Sequence, residues 1–196
     1  MTVAAVVTLL APVTWSPPGV DLDAWRSALA EDVVDLLAPL PQIQPAIAAV
    51  EADLPLVAKI AWPSTRIYTV GTPSIRAALE AAEADGHDRA VVVMADAPDL
   101  PAMLIGKLIR PLSTKTVAVA PSHTGGILAV ATRLPVPGWL PDLDAETGDV
   151  AAARRPSPDP SQVVSAPGWH RLRGPEDLRR LDLGLDGWDA TRALLT

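Results

Sequence analysis

The residues best suited to chemistry lie at the end of one apolar run. Residues 90–101 read Ala-Val-Val-Val-Met-Ala-Asp-Ala-Pro-Asp-Leu-Pro. A short Val-rich run is typical of a strand buried on both faces in a parallel sheet. Ligands of open α/β sheets bind outside the carboxyl ends of the strands, which predicts a catalytic role for Asp96. The alternative is that Asp96 only hydrogen-bonds its own turn. Pro98 ends the strand, and Asp99 is predicted to cap the next helix.

A second group of candidates follows a later strand. His123 could act as a general base at the carboxyl end of that strand, or it could be a solvated loop histidine. Gly125 and Gly126 could present backbone N–H groups to an anion or a sugar, or they could form a tight turn. An acidic cluster comes next and lacks the glycine and the terminal glutamate of a calcium loop, so a solvated charge run is expected: Asp142, Asp144, Glu146 and Asp149.

Alternating strand and helix patterns must position these residues. They predict a three-layer α/β/α sandwich with a mostly parallel mixed sheet. Strands are expected at Thr2 to Ala11, Ile43 to Val50, Val57 to Trp62, Arg66 to Val70, Ala90 to Ala95, Thr116 to Ala120, Ile127 to Thr132 and Trp169 to Arg173. Helices are expected from Asp21 or Asp23 to Leu37, from Thr72 to Gly86, from Leu100 to Ile109, from Gly174 and from Asp186 or Gly187. The whole chain, 1–196, is predicted to be one domain with a Pro- and Asp-rich excursion at about 135–167.

Composition limits the function further. The chain has 16 Lys and Arg against 23 Asp and Glu, a net charge of −7, so a nucleic-acid backbone is not an expected partner. It has no cysteine, which excludes disulfides and thiolate chemistry. No apolar run approaches the length of a membrane span, and the apolar start lacks the basic region of a signal peptide. A cytoplasmic location without membrane association is therefore expected.

Three motifs in order resemble one family. They are Asp-Ala-Pro-Asp-Leu-Pro at 96–101, Ala-Pro-Ser-His-Thr-Gly-Gly at 120–126 and Arg-Leu-Arg-Gly-Pro-Glu-Asp-Leu at 171–178. The set resembles the GT-A-like nucleotide-diphospho-sugar and nucleotidyl transferases, bacterial relatives of the molybdopterin and phospholactate guanylyltransferases. The resemblance implies a GT-A-like, Rossmann-like sandwich. It also implies that Asp96 and a later acidic residue hold a divalent cation.

The departures from the family pattern bear on activity. The family's basic loop after the first strand corresponds to residues 11–19, which contain no cation. A triphosphate normally needs cations and Mg²⁺ as it reacts. The two acids of the later strand correspond to Arg171 and Arg173, and the aspartate of the glycine loop to Thr124. No metal site is therefore predicted, and Mg²⁺ or Mn²⁺ is expected only if the family chemistry survives.

Three functional hypotheses follow. The first is a divergent homologue without ordinary metal- and nucleotide-dependent catalysis that has a binding or structural role. The second is a metal-independent nucleotide-sugar transferase, in which Arg171 and Arg173 neutralise a diphosphate leaving group in place of the cation. The third is an interaction protein or a homo-oligomer subunit, with a homodimer left open. Whether the chain is an enzyme is undecided at this point.

The predicted site follows from the first two hypotheses. Asp96 and His123 are the catalytic candidates, and the ligand is a nucleotide sugar or another small anion. The binding candidates are Asp99, Gly125, Gly126, Arg171 and Arg173. Since arginines two residues apart on a strand face the same side, one of the pair is expected to contact Asp96 directly or across an anion pocket.

Overall fold

The apolar runs form one seven-stranded sheet in a computed structural model that describes residues 3–196. Thr2, at the start of the predicted first strand, lies outside the described residues. The strand order is β3-β2-β1-β4-β6-β5-β7, and β6 runs antiparallel to both of its neighbours while the other pairs are parallel. The strands are β1 (Ala4–Leu9), β2 (Ile43–Ala49), β3 (Arg66–Thr69), β4 (Arg89–Met94), β5 (Val117–Pro121), β6 (Ile127–Arg133) and β7 (Val163–Ser165).

Helices cover both faces of this sheet. They are α1 (Leu22–Leu37), α2 (Leu54–Ile60), α3 (Ile75–Ala84), α4 (Met103–Ile109), α5 (Val150–Arg154), α6 (Pro175–Leu178) and α7 (Asp189–Ala193), with 3₁₀ turns at Glu51–Asp53, Arg110–Ser113 and Pro160–Gln162. Helices α1, α2 and α4 pack on one face, and α3 and α5 pack on the other. The predicted three-layer, mostly parallel α/β architecture is therefore confirmed.

Strand β4 lies at the centre of the core, as the sequence predicts. Val92 and Val93 point to opposite faces of the sheet and are 1% and 0% exposed. A strand pairs with β4 on each side, so its backbone is satisfied within the sheet. Five further apolar residues of the core are also buried: Leu79, Val91, Leu104, Leu108 and Val117.

Local sequence signals set the ends of two helices. The side chain of Asp21 accepts a hydrogen bond from Ala24 N at 2.9 Å and begins α1. Ser74 does the same for α3 through Ala77 N at 3.1 Å. Gly86, with φ of +89°, follows the end of α3 in a conformation that favours glycine.

Three local predictions were wrong. Residues 57–62 belong mainly to helix α2, because Val57 and Ile60 are spaced to bury one helical face against α1 and β2. Residues 169–173 form no strand. Trp169 makes only an isolated β-bridge with Ser122. Asp99 does not cap α4, which begins four residues later at Met103 with no side-chain cap.

The Pro- and Asp-rich segment at 135–167 contributes to the sheet. Its last part forms β7, which pairs in parallel with β5 and extends that edge. Its helix α5 buries Ala153 in the core beside β7. Among residues 3–196, no helix combines the length and hydropathy needed to cross a lipid bilayer.

Candidate functional site

Asp96 lies just beyond the carboxyl end of β4 and is held by Arg171. Arg171 Nε donates to Asp96 Oδ1 at 2.7 Å, and Arg171 Nη2 donates to Asp96 Oδ2 at 2.8 Å. Arg171 is 1% exposed and Asp96 is 8% exposed, so the pair is shielded from water. The backbone adds a link, because Leu172 N donates to Asp96 O at 2.7 Å. The predicted contact between Asp96 and an arginine is therefore confirmed, and the arginine is Arg171.

The other donors of Arg171 are also used within the protein. Nη1 donates to Ile127 O at 3.2 Å and to Ala145 O at 2.7 Å, and Nη2 donates to Glu146 Oε1 at 2.7 Å. A guanidinium has five N–H groups, and these contacts together with the two to Asp96 employ all of them. Arg171 therefore has no free N–H group that could bind a diphosphate. A metal-independent transfer in which Arg171 replaces the cation would require such a group.

Glu146 joins the two arginines. Its second oxygen, Oε2, accepts from Arg173 Nη1 at 2.9 Å, while Oε1 binds Arg171. Burial by itself raises the pKa of Glu146, but its hydrogen bond with Arg173 and the charge of Arg171 outweigh that effect and hold the pKa below its usual value. Burial likewise lowers the pKa of Arg171, and the charge of Asp96 more than reverses this. Glu146 and Arg171, two members of the chain of charges Asp96–Arg171–Glu146–Arg173, therefore stay ionised near neutral pH.

Arg173 ties the glycine loop to this chain of charges. Its Nη2 donates to Thr124 Oγ1 at 3.0 Å and to Gly125 O at 2.7 Å. Its backbone N–H donates to Asp177 Oδ2 at 2.9 Å. Arg171 and Arg173 do lie on the same side of their segment, as predicted, although that segment is not a strand.

Gly126 has a steric role in the same place. Its φ is +76°, and a Cβ at this position would lie 2.4 Å from Ala145 O and 2.7 Å from Glu146 O. The absence of a side chain therefore lets residues 145–146 approach the loop closely enough for Ala145 O to reach Arg171. This close approach explains why position 126 requires a glycine, and the explanation involves no bound anion.

Asp99 and His123 belong to a separate cluster. Asp99 accepts hydrogen bonds from Trp169 Nε1 at 3.2 Å and from Asp182 N at 3.1 Å. His170 Nε2 lies 2.8 Å from Asp99 Oδ1 without the alignment of a hydrogen bond. The ring centroids of His123 and Trp169 are 6.2 Å apart. Neither Asp99 nor His123 is among the residues that line the cavity beside Asp96, so the fold does not bring these two candidates to the predicted site.

The cavity beside Asp96 has a volume of about 580 Å³. It opens at the carboxyl ends of β1 and β4, between the loop after β1, the start of α3 and residues 142–146. This is the edge at which open α/β sheets bind ligands, and the volume is typical of a small-molecule site. Asp96, Glu146 and Arg173 all line it.

The loop after β1 gives this cavity an uncharged wall. Ala11, Pro12, Val13, Thr14 and Trp15 line it. Arg26, the first cation of the sequence, donates through Nε to Ala11 O at 3.3 Å and through its two Nη atoms to the oxygens of Asp53, at 2.7 and 2.6 Å. The loop itself therefore brings no cation to the cavity, and Arg173, which lines the cavity, comes from another segment.

The residues at Asp96 do not fit a divalent cation. Both of its carboxylate oxygens accept hydrogen bonds from Arg171, whose positive charge would repel the metal. Within residues 3–196, no three His, Cys, Asp or Glu side chains are grouped so that they could hold a metal ion.

Sequence reasoning missed the part played by Glu146. It was interpreted as one member of a solvated acidic run, yet it bridges Arg171 and Arg173. The available signal was charge balance, because two arginines predicted near one aspartate require a further counter-charge. Trp15, which lines the cavity, was also missed. Its signal was a tryptophan in a loop that follows the first strand and contains no cation.

Known proteins match this chain through structure and not through sequence. Comparison with protein-family models and with curated proteins gives no match. A solved protein from Desulfovibrio desulfuricans, assigned to the nucleotide-diphospho-sugar transferases, is 19% identical with a TM-score of 0.64, and the match covers 100% of this chain and 97% of that chain. A 4-diphosphocytidyl-2C-methyl-D-erythritol synthase from Anaerococcus prevotii is 11% identical with a TM-score of 0.61, covering 98% and 96%.

A third similar structure contains a metal. It is a protein of Mycobacterium tuberculosis solved in complex with manganese, 19% identical to this chain, with a TM-score of 0.54 and a coverage of 99% and 97%. At these identities the likeness concerns the fold, and it extends over nearly the whole of each chain. The chain therefore shares its fold with these solved proteins, and that fold is the α/β sandwich expected from the sequence.

Proposed function

We propose that this protein is a divergent GT-A-fold homologue that binds a small ligand beside Asp96 without ordinary metal- and nucleotide-dependent catalysis. The observation that carries the proposal is the paired hydrogen bonding of Arg171 to both oxygens of Asp96, at 2.7 and 2.8 Å. A fixed guanidinium at this carboxylate neutralises it and leaves no room for a metal between them.

The cavity itself supports a binding role. Its volume of about 580 Å³ lies in the range of small-molecule sites, and it sits at the ligand-binding edge of the sheet. The loop after β1 offers no cation to a triphosphate. A metal-independent transferase gains no support, because Arg171 spends its donors on protein acceptors.

Calorimetric titration with Mn²⁺ and with nucleoside triphosphates or nucleotide sugars, alone and combined, tests this proposal. We expect no micromolar Mn²⁺ binding to the native protein and no Mn²⁺-dependent nucleotide binding. Arg171→Asp is expected to gain Mn²⁺ affinity, because it would place a second carboxylate at Asp96.

Arg173→Asp is the matched control for this gain. It makes the same charge change two residues away, but Arg173 binds Glu146, Thr124 and Gly125 and not Asp96. We therefore expect a smaller gain or none. Micromolar Mn²⁺ binding to the native protein that Asp96→Asn abolishes would refute the proposal.

A further inference from the structure

One wall of the cavity is apolar and includes the aromatic side chain of Trp15, which packs against a second aromatic ring. Pro12, Val13 and Trp15 come from the loop after β1, and Ile75 comes from the start of α3. The Trp15 ring meets the buried Trp25 ring edge-on, with centroids 6.1 Å apart and an interplanar angle of 89°. Such a fixed aromatic surface suits the apolar body of a ligand or the face-on approach of a cation.

The cavity is also lined by two carboxylates that are not paired with a cation, those of Asp142 and Asp144. Arg76 N donates to Asp142 Oδ1 at 3.1 Å, and Glu146 N and Thr147 N donate to Asp144 Oδ1 at 2.7 and 3.0 Å. These partners are backbone N–H groups, which carry no net charge. Among residues 3–196, no ion pair involves either side chain, and both residues are exposed.

The charges around the cavity leave an excess of negative charge. Four carboxylates border it, those of Asp96, Asp142, Asp144 and Glu146, and two guanidiniums neutralise part of this, those of Arg171 and Arg173. Two negative charges remain. The nearby Arg76 adds no free cation, since its Nη1 is 2.9 Å from Glu80 Oε1 and its Nη2 binds Leu140 O.

Asp144 stays ionised at neutral pH. The backbone N–H groups of Glu146 and Thr147 hold the pKa of Asp144 below its usual value. The position at the α3 N-terminus that would attract a phosphate is also taken, because Asp142 already accepts from Arg76 N there. A phosphate entering the cavity would therefore meet like charge at both places.

We propose that the ligand of this cavity is a small organic cation, an ammonium group attached to an apolar or aromatic body. The ammonium is held by Asp142 and Asp144, and the body lies against Val13 and Trp15. This inference rests on the proposed function, since both require the cavity to be a ligand site, and it replaces the small anion expected from the sequence by a ligand of opposite charge.

The test compares three probes of similar shape and different charge by isothermal titration calorimetry. Tryptamine carries an ammonium, indole-3-ethanol is neutral and indole-3-propionate carries a carboxylate. We expect tryptamine to bind about tenfold more tightly than indole-3-propionate at low salt, with indole-3-ethanol between them. This preference should fall to about twofold in the double variant Asp142→Asn/Asp144→Asn, which removes the unpaired charges.

Two further variants separate local charge from net charge and packing. Glu51→Gln/Glu176→Gln changes the net charge equally but involves acids that do not line the cavity, so the preference should persist. Trp15→Ala should weaken all three probes without changing their order.

Equal binding of the charged probes, preference for the carboxylate, or no tryptamine binding up to about 5 mM overturns the inference. Mn²⁺-dependent nucleotide binding instead refutes the proposed function, so the two failures are distinguishable.

Discussion

At the scale of single residues, the central feature is the carboxylate of Asp96, whose counter-charge is the guanidinium of Arg171. Asp96 and Arg171 are both buried, and each satisfies the other's strongest hydrogen-bonding groups. Burying either charge alone would be costly because the interior does not solvate it as water does. The two residues should therefore behave as a unit when one of them is changed.

Arg171→Met tests this dependence. The variant leaves Asp96 buried without its partner, and we expect a loss of about 3–5 kcal/mol in the free energy of unfolding, measured by urea denaturation. The double variant Asp96→Asn/Arg171→Met removes the orphaned charge and should recover part of the loss. A single variant as stable as the native protein would contradict the assigned burial of the pair.

At the scale of elements, the loop between β5 and β6 and the segment 142–146 form one unit with Arg171. The close approach at Gly126 brings the carbonyls of Ala145 and Glu146 against the loop. Ala145 O then accepts from both Ile127 N and Arg171 Nη1, at 2.9 and 2.7 Å. The wall of the cavity therefore depends on a glycine that does not itself line it.

Gly126→Ala should displace that wall. The added Cβ would meet two carbonyl oxygens, and the φ of +76° disfavours a side chain, so we expect a loss of about 1–3 kcal/mol and faster hydrogen exchange at residues 142–147. Gly125→Ala is the matched control, because Gly125 also has a positive φ, +92°, but has nothing within 4 Å of its Cβ position. Equal effects of the two substitutions would show that backbone strain, and not the close approach, decides the outcome.

At the scale of the whole molecule, the end of the chain is anchored to α1 by one buried side chain. Asp32 accepts from Ala190 N at 3.0 Å and from Thr191 N at 2.8 Å, and so caps α7 from across the fold. Burial raises the pKa of Asp32, although these hydrogen bonds oppose the change. The carboxylate is therefore kept in place by the N–H groups it satisfies.

Asp32→Ala should release α7 from this anchor. Two N–H groups would lose their acceptor, so we expect a loss of about 1–3 kcal/mol on thermal or urea unfolding and reduced exchange protection at residues 189–193. Asp32→Asn keeps one acceptor oxygen and should lose less. Unchanged protection in the alanine variant would show that apolar packing alone holds the helix.

The sequence predicted the core of this molecule better than its site. The Val-rich β4 and the capped helices α1 and α3 follow from local patterns that the fold does not override. Residues 57–62 were predicted as a strand because a short apolar run has no distinctive period, and contact with α1 decides in favour of a helix.

The site depends on contacts between distant segments. The contact of Asp96 with an arginine could be predicted because the family resemblance aligns Arg171 and Arg173 with acidic residues that lie near Asp96. The sequence offered no such alignment for Glu146. Asp99 and His123 were placed at the site because they follow strand ends, but the chain turns them towards Trp169 instead. A one-dimensional pattern locates the sheet edge and does not determine which side chains turn into it.

The contacts of Arg171 also act as a cross-link. One side chain joins the end of β4, the start of β6 and residues 145–146, and its partner Asp96 lies 75 residues away along a chain that contains no cysteine. A disulfide would depend on the thiol–disulfide balance of its surroundings, whereas this ionic connection keeps its strength in reducing and oxidising conditions alike. Arginine remains protonated throughout the physiological range, and Arg171 and Arg173 hold the pKa of Glu146 below its usual value, so the connection to Glu146 persists until acid protonates that carboxylate.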